Sequence, residues 1–207
     1  LATLEQVAEP FPGEWQEWLS WFKSLPLFLD LGRLRVVHAA WCSRSIAEVG
    51  LRSFADEAFL HTTSQSGLPG YEAVKTILVG PELDLPDGAI FYDTNGHEHR
   101  DIRVRWFRTG SSEETPTYRS LVIPASHTVP AIPVPTVLLK KVPDYSETEP
   151  PVVFGHYWMP PGTPARLTKN VACVDFSVAL KTGGFLTAYR WTGESEFDDA
   201  RFVTIPT

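Results

Sequence analysis

Apolar residues recur at helical spacing near the start of the chain. Trp15, Trp18, Leu19 and Phe22 stand at i, i+3, i+4 and i+7 and form one stripe. Glutamates lie early in this stretch and Lys23 lies late, as a helix dipole favours, and Pro26 ends it. The period then shortens. Leu34-Arg35-Val36-Val37-His38-Ala39 is β-branched and apolar, which predicts a buried strand. Short helices are predicted over 46–49 and 53–60, a turn at Ser66-Gly67-Leu68-Pro69-Gly70, and a helix over 71–79 stopped by Gly80-Pro81. To this point helical and strand periods alternate, which suggests α/β character.

From Ala89 the pattern turns to strands. Ala89-Ile90-Phe91-Tyr92 and Ile102-Arg103-Val104-Arg105-Trp106 flank Asp93-Thr94-Asn95-Gly96, a good hairpin-turn signal. Ile102, Val104 and Trp106 share one strand face, and Arg103 and Arg105 take the other. Residues 111–151 are proline-rich and irregular, with one strand predicted over 136–140. Further strands are predicted over 152–154, 171–174, 185–191 and 201–205. No repeat or linker interrupts the chain, so residues 1–207 read as a single domain.

Composition narrows the picture. The 18 prolines imply much loop, because proline removes a backbone donor and breaks helix interiors. A formal charge of −7 argues against nucleic acid as a partner, since phosphate binding needs a cationic surface. No apolar run approaches the length of a membrane span; 25–31 is typical in being interrupted by proline or charge. Two cysteines, Cys42 and Cys173, are too few for a disulfide scaffold and point to a reducing, cytoplasmic setting.

Two places repeat one pattern. Val36-Val37-His38-Ala39 and Val152-Val153-Phe154-Gly155-His156 are apolar strands that each deliver a histidine at the carboxyl end, beside a small residue. Ligands of open α/β sheets gather beyond strand carboxyl ends, and Ala39 and Gly155 would leave room for a metal or substrate to approach the backbone. A pair of satisfied core histidines fits the same residues. His97-Glu98-His99 has a spacing that can bind metal but reads first as a solvated turn, and His61 and His127 read as surface positions. Arg103, Arg105 and Arg190 suit either a phosphate clamp or ion pairs with Asp175 or Glu194. Of Trp41, Tyr157 and Trp158, which flank the histidines, two are expected in the core.

Trp21-Phe22-Lys23-Ser24-Leu25-Pro26-Leu27 leading into the His38 strand resembles the middle of a bacterial branch of the calcineurin-like metallophosphoesterases. That branch is related to the serine/threonine protein phosphatases and the symmetrical dinucleoside tetraphosphatases. Gly80-Pro81-Glu82, Asp93-Thr94-Asn95-Gly96, Arg103-Val104-Arg105-Trp106, Phe154-Gly155-His156-Tyr157-Trp158, Ala172-Cys173-Val174-Asp175 and Ala188-Tyr189-Arg190-Trp191 resemble the same branch in the same order. The resemblance implies the carboxyl-terminal part of the domain, the second half of a helix-covered two-sheet β-sandwich. It implies that His38 and His156 are metal ligands on one of two divalent ions, manganese, iron or zinc. Many relatives carry G-H-x-H at the second place, where Trp158 stands here, as in the protein-phosphatase-like branch.

The family's opening motifs D-x-H, G-D-x-x-D-R and G-N-H-E or G-N-H-D do not occur in these residues. The Trp15 helix corresponds to the stretch after G-N-H-E, and a start at Leu1 agrees with a half that was cut away, left out or separately encoded. The implied activity is metal-dependent phosphoester hydrolysis by the full-length protein, with this chain alone silent or nearly so. The implied substrate is a phosphoprotein, a dinucleoside polyphosphate or a small phosphomonoester. The alternative is a non-catalytic binding module, as a degenerate relative or half of a split enzyme, with self-association through the surface left by the missing half.

Overall fold

The computed structural model describes residues 4–86, 88–93, 96–107, 115–180 and 183–206, and its class is mixed α and β. The first third runs α1 (Pro12–Ser24), β1 (Phe28–Asp30), β2 (Arg35–Val37), α2 (Ser43–Val49), α3 (Glu57–Thr63) and α4 (Tyr71–Leu78). The middle adds β3 (Glu82–Asp84), β4 (Phe91–Tyr92), β5 (Glu98–His99), β6 (Asp101–Arg103), α5 (Tyr118–Leu121) and α6 (Thr136–Leu139). The last third supplies β7 (Val152–Phe154), β8 (Arg166–Thr168), β9 (Val171–Cys173), β10 (Asp175–Phe176), β11 (Phe185–Tyr189) and β12 (Phe202–Pro206).

Three apolar segments far apart in sequence lie side by side. In the five-stranded sheet, order β1-β2-β7-β9-β8, the inner strands β2, β7 and β9 are parallel and the outer pairs antiparallel. Parallel strands are covered on both faces, which is why β7 and β9 read as nearly continuous apolar runs. Val37, Val152, Phe154, Val171 and Cys173 pack with Trp41, Trp106 and Tyr157, and α2 and α4 add Val49, Ala73, Val74 and Ile77 to the same core. A second cluster gathers Leu83, Ile102, Val104, Tyr118, Val129 and Val134. The strands β10, β11 and β12 form a separate antiparallel sheet.

Several expectations change. Residues 136–139 are the helix α6, not a strand; Pro135 precedes its first turn, where a missing N–H costs nothing. Thr94 and Asn95 of the proposed turn, and 111–114 of the irregular connection, lie outside the described residues. β4 pairs with β5, whereas the segment at Ile102 pairs with β3. Its alternation holds: Ile102, Val104 and Trp106 are buried and Arg105 is exposed. The stripe on α1 forms its helix, yet no residue of that helix is buried. No helix among the described residues is long and apolar enough to cross a membrane.

The proline-rich connection is tethered. Arg35 donates to Tyr145 Oη at 3.0 Å and to Glu149 at 2.6 Å, and its guanidinium lies over Trp41. The buried Asn170 amide donates to the Ser146 and Glu149 carbonyls, both at 2.9 Å. These bonds hold the segment that leads into β7.

The two thiols differ in reactivity. Cys173 is fully buried, and burial pushes its thiol up to about 12, while Cys42 is half-buried. Since the thiolate is the nucleophile, iodoacetamide is expected to label native Cys173 at least roughly 100-fold more slowly than Cys42. Mass spectrometry of timed samples measures this, and equal native rates would contradict the burial of β9.

Candidate metal centre

The parallel pairing of β2 with β7 brings two strand carboxyl ends to the same edge of the sheet. His38 follows β2, and Gly155-His156 follows β7. The Gly155 N–H donates to the His38 carbonyl at 2.9 Å, which ties the ends together. The chain then turns sharply: His156 has φ of 72°, a left-handed conformation that costs a non-glycine residue about 1 kcal/mol or more. The Tyr157 N–H closes this turn on the Gly155 carbonyl at 2.9 Å, and the Tyr157 side chain is buried behind it. The result is an imidazole pair with His38 Nε2 and His156 Nδ1 3.2 Å apart and ring centroids at 5.0 Å.

The neutral form of both rings is favoured. Burial lowers the His38 pKa against the pull of Asp175. Burial first, then the charge of Arg103 and the neighbouring imidazole, pushes His156 down to about 4. A neutral imidazole offers the lone pair that binds metal. His156 Nε2 is buried and has no hydrogen-bond partner. The pair faces a cleft of about 620 Å³ whose walls include Leu27, Phe28, Val153, Phe154 and Asp175.

Two donors of a single metal site fit this geometry. Imidazole nitrogens about 2.0–2.1 Å from one ion stand roughly 2.9–3.4 Å apart, depending on the coordination angle. The observed separation of 3.2 Å falls within that span. A complete shell is another matter: among the described residues no group of three or more His, Cys, Asp or Glu is arranged to hold an ion.

Of the two small neighbours, Ala39 acts differently from expectation, while Gly155 lines the cleft. Ala39 is fully buried, donates to the Ile77 carbonyl at 2.9 Å and accepts from Trp106 Nε1 at 3.0 Å, so it serves the core and not ligand approach. A Cβ at Gly155 would meet Asp175 Cβ at 3.4 Å, an ordinary contact. Trp41 and Tyr157 are core residues, whereas Trp158 is 66% exposed. Arg103 is half-buried near His156, and Arg105 and Arg190 are exposed. The candidate carboxylates have other partners: Glu194 lies 3.5 Å from Arg201, and Asp175 Oδ1 accepts the Ser177 N–H. His61 meets Gln65 at the surface, and His127 is exposed.

The sequence marks Asp175 only as an ion-pair candidate, yet it lines the cleft and its charge acts on both imidazoles. A signal for it exists. Val171-Ala172-Cys173-Val174-Asp175 is a third apolar strand delivering a chemical group at its carboxyl end, next in the sheet to β7. No protein-family model, curated protein or solved structure matches the chain.

Proposed function

We propose that this chain contributes the His38–His156 side of a metal-dependent phosphoesterase centre. The observation that carries the reading is the 3.2 Å approach of two imidazoles at adjacent parallel strand ends, facing an open cleft. The unpartnered Nε2 of His156 supports it, as do the ordered likenesses that run through the chain. On this reading the five- and three-stranded sheets belong to the second half of a helix-covered two-sheet sandwich, and the protein works in the cytoplasm. The remaining ligands come from segments that carry D-x-H, G-D-x-x-D-R and G-N-H-E, outside residues 1–207. The substrate is a phosphoprotein, a dinucleoside polyphosphate or a small phosphomonoester.

His38 and His156 would hold a divalent ion, manganese, iron or zinc, which would supply Lewis acidity toward a phosphoester. The two imidazoles would offer it a pair of nitrogen donors 3.2 Å apart. The turn at Gly155 sets that spacing, and Asp175 adds negative charge at the cleft wall. Two imidazoles alone neither balance a dinuclear centre nor fix its metal–metal distance, so the isolated chain is read as nearly silent.

Paramagnetic manganese makes the proposal site-resolved. In ¹⁵N-labelled chain, Mn²⁺ is expected to broaden the Ala39 and Gly155 amide signals, and His156→Ala to weaken that response about tenfold or more. Equal broadening in His156→Ala would remove the histidines from the role. Turnover of p-nitrophenyl phosphate that survives repurification and is lost in His156→Ala would overturn the silence of the isolated chain. An unbroadened native spectrum would favour the reading as a binding module, to which the apolar cleft wall and the half-exposed Trp18, Trp21 and Phe22 are suited.

A further inference from the structure

None of the residues around β4 and β5 lines the His38–His156 cleft, yet three donor side chains meet there. Asp93 follows β4, His97 precedes β5, and His99 ends it. Antiparallel pairing sets Phe91 opposite His99 and Tyr92 opposite Glu98, and the alternation of the strand puts His97 and His99 on one face. The carboxylate is fixed by backbone. Asp93 Oδ1 accepts the His97 N–H at 2.9 Å, and the Asp93 N–H donates to the His97 carbonyl at 3.0 Å. Asp93 Oδ2 is left facing both imidazoles, 3.2 Å from His97 Nδ1 and 3.2 Å from His99 Nε2. The His99 ring stacks on Phe91 at 5.1 Å between centroids, which sets its plane.

We propose that Asp93, His97 and His99 form a three-donor site for a divalent transition metal of the zinc class, separate from the His38–His156 pair. As they stand, the three side chains are joined by hydrogen bonds, and they are not yet a coordination shell. The imidazoles must turn so that both nitrogens and Oδ2 point at one ion. Donors about 2.0–2.2 Å from one zinc ion stand roughly 2.9–3.5 Å apart, and both nitrogen–oxygen separations already fit. The ion replaces the imidazole protons that point at Oδ2. A ring that holds one proton keeps it on its other nitrogen, and a ring that holds two releases one to solvent.

Two imidazoles and one carboxylate suit zinc and its neighbours in the transition series, whereas magnesium and calcium prefer oxygen shells. The His97 side chain is 73% exposed and that of His99 39%, so an ion reaches the site from solvent and a water completes its shell. Binding would tie β4 to β5, which among the described residues form a two-stranded sheet.

The test uses zinc alone and the full chain with His38→Ala and His156→Ala, which removes the other candidate site. Competition with a chromogenic chelator is expected to show one zinc per chain. Adding His97→Ala and His99→Ala is expected to abolish binding, and Asp93→Asn, which keeps an oxygen for the backbone, to weaken it about tenfold or more. Circular dichroism confirms that each variant folds. Zinc binding that is missing in the His38→Ala/His156→Ala chain, or that survives loss of both hairpin histidines, overturns the site. Binding that needs the histidines but is indifferent to Asp93→Asn overturns the three-donor shell.

Discussion

Trp106→Ala is expected to lower the melting temperature by about 10–15 °C, equivalent to about 4 kcal/mol for a chain of this size. The indole is wholly buried and meets Phe107, Tyr145 and Phe154 edge-on, with centroids 5.3 to 5.6 Å away. Removing it leaves a cavity at the centre of the larger core. A second loss follows, because Trp106 Nε1 donates to the Ala39 carbonyl at 3.0 Å. Without that donor a buried carbonyl directly after His38 goes unpaired, at a cost of about 1–3 kcal/mol. Trp106→Phe separates the two effects. It keeps most of the ring volume and loses the N–H, so a smaller fall of about 3–8 °C is expected. Thermal unfolding followed by circular dichroism measures both variants. A shift below 3 °C for Trp106→Ala would refute the indole's place at the core, and equal losses in the two variants would show that packing contributes little.

The elements that the sequence makes legible are those whose pattern is long enough to have a period. The helices α1 and α4 follow their stripes, and the histidines at the ends of β2 and β7 follow from Val-Val-His and Val-Val-Phe-Gly-His. Pairing is different. That β7 lies beside β2 in parallel, with the whole middle of the chain between them, is set by tertiary packing and leaves no local mark. The 3.2 Å between the imidazoles therefore belongs to the fold. Strands of two or three residues, such as β3, β5 and β10, are too short for alternation to identify. Thr136-Val137-Leu138-Leu139 has strand-like composition, but a four-residue apolar run carries no helical or strand period, and Pro135 at its start favours a helical turn. On α1 the stripe identifies a helix without identifying what covers it, because a period reports one apolar face and not its partner. Ala39 shows the same limit. Its small size beside His38 suggests access for a ligand, whereas the residue is fully buried and its carbonyl is taken by Trp106 Nε1.

Gly80→Ala joins a legible feature to one that only the fold contains. Gly80-Pro81 is the stop signal of α4, and Gly80 takes the left-handed conformation that closes a helix, with φ of 92° and its N–H donated to the Thr76 carbonyl at 3.1 Å. Alanine in that conformation costs about 1 kcal/mol. The greater penalty comes from Tyr157. A Cβ at residue 80 would overlap the Tyr157 hydroxyl and lie 3.1 Å from Cζ behind it. Tyr157 is 1% exposed and wedged edge-on against Phe154, with ring centroids 5.4 Å apart, so its ring has no room to withdraw. Together the strain and the overlap are expected to cost about 3 kcal/mol, seen as a fall in melting temperature of about 6–12 °C. Because Tyr157 follows His156, the displacement also reaches the imidazole pair, and the Mn²⁺ response of the Gly155 amide is expected to weaken. The double variant Gly80→Ala/Tyr157→Phe removes the overlapping oxygen and leaves the strained backbone. Compared with Tyr157→Phe alone, its loss is expected to be less than half that of Gly80→Ala in the native background. An undiminished loss would assign the whole cost to backbone conformation, and a melting temperature within about 2 °C of the native value for Gly80→Ala would refute the close packing of Tyr157 on α4.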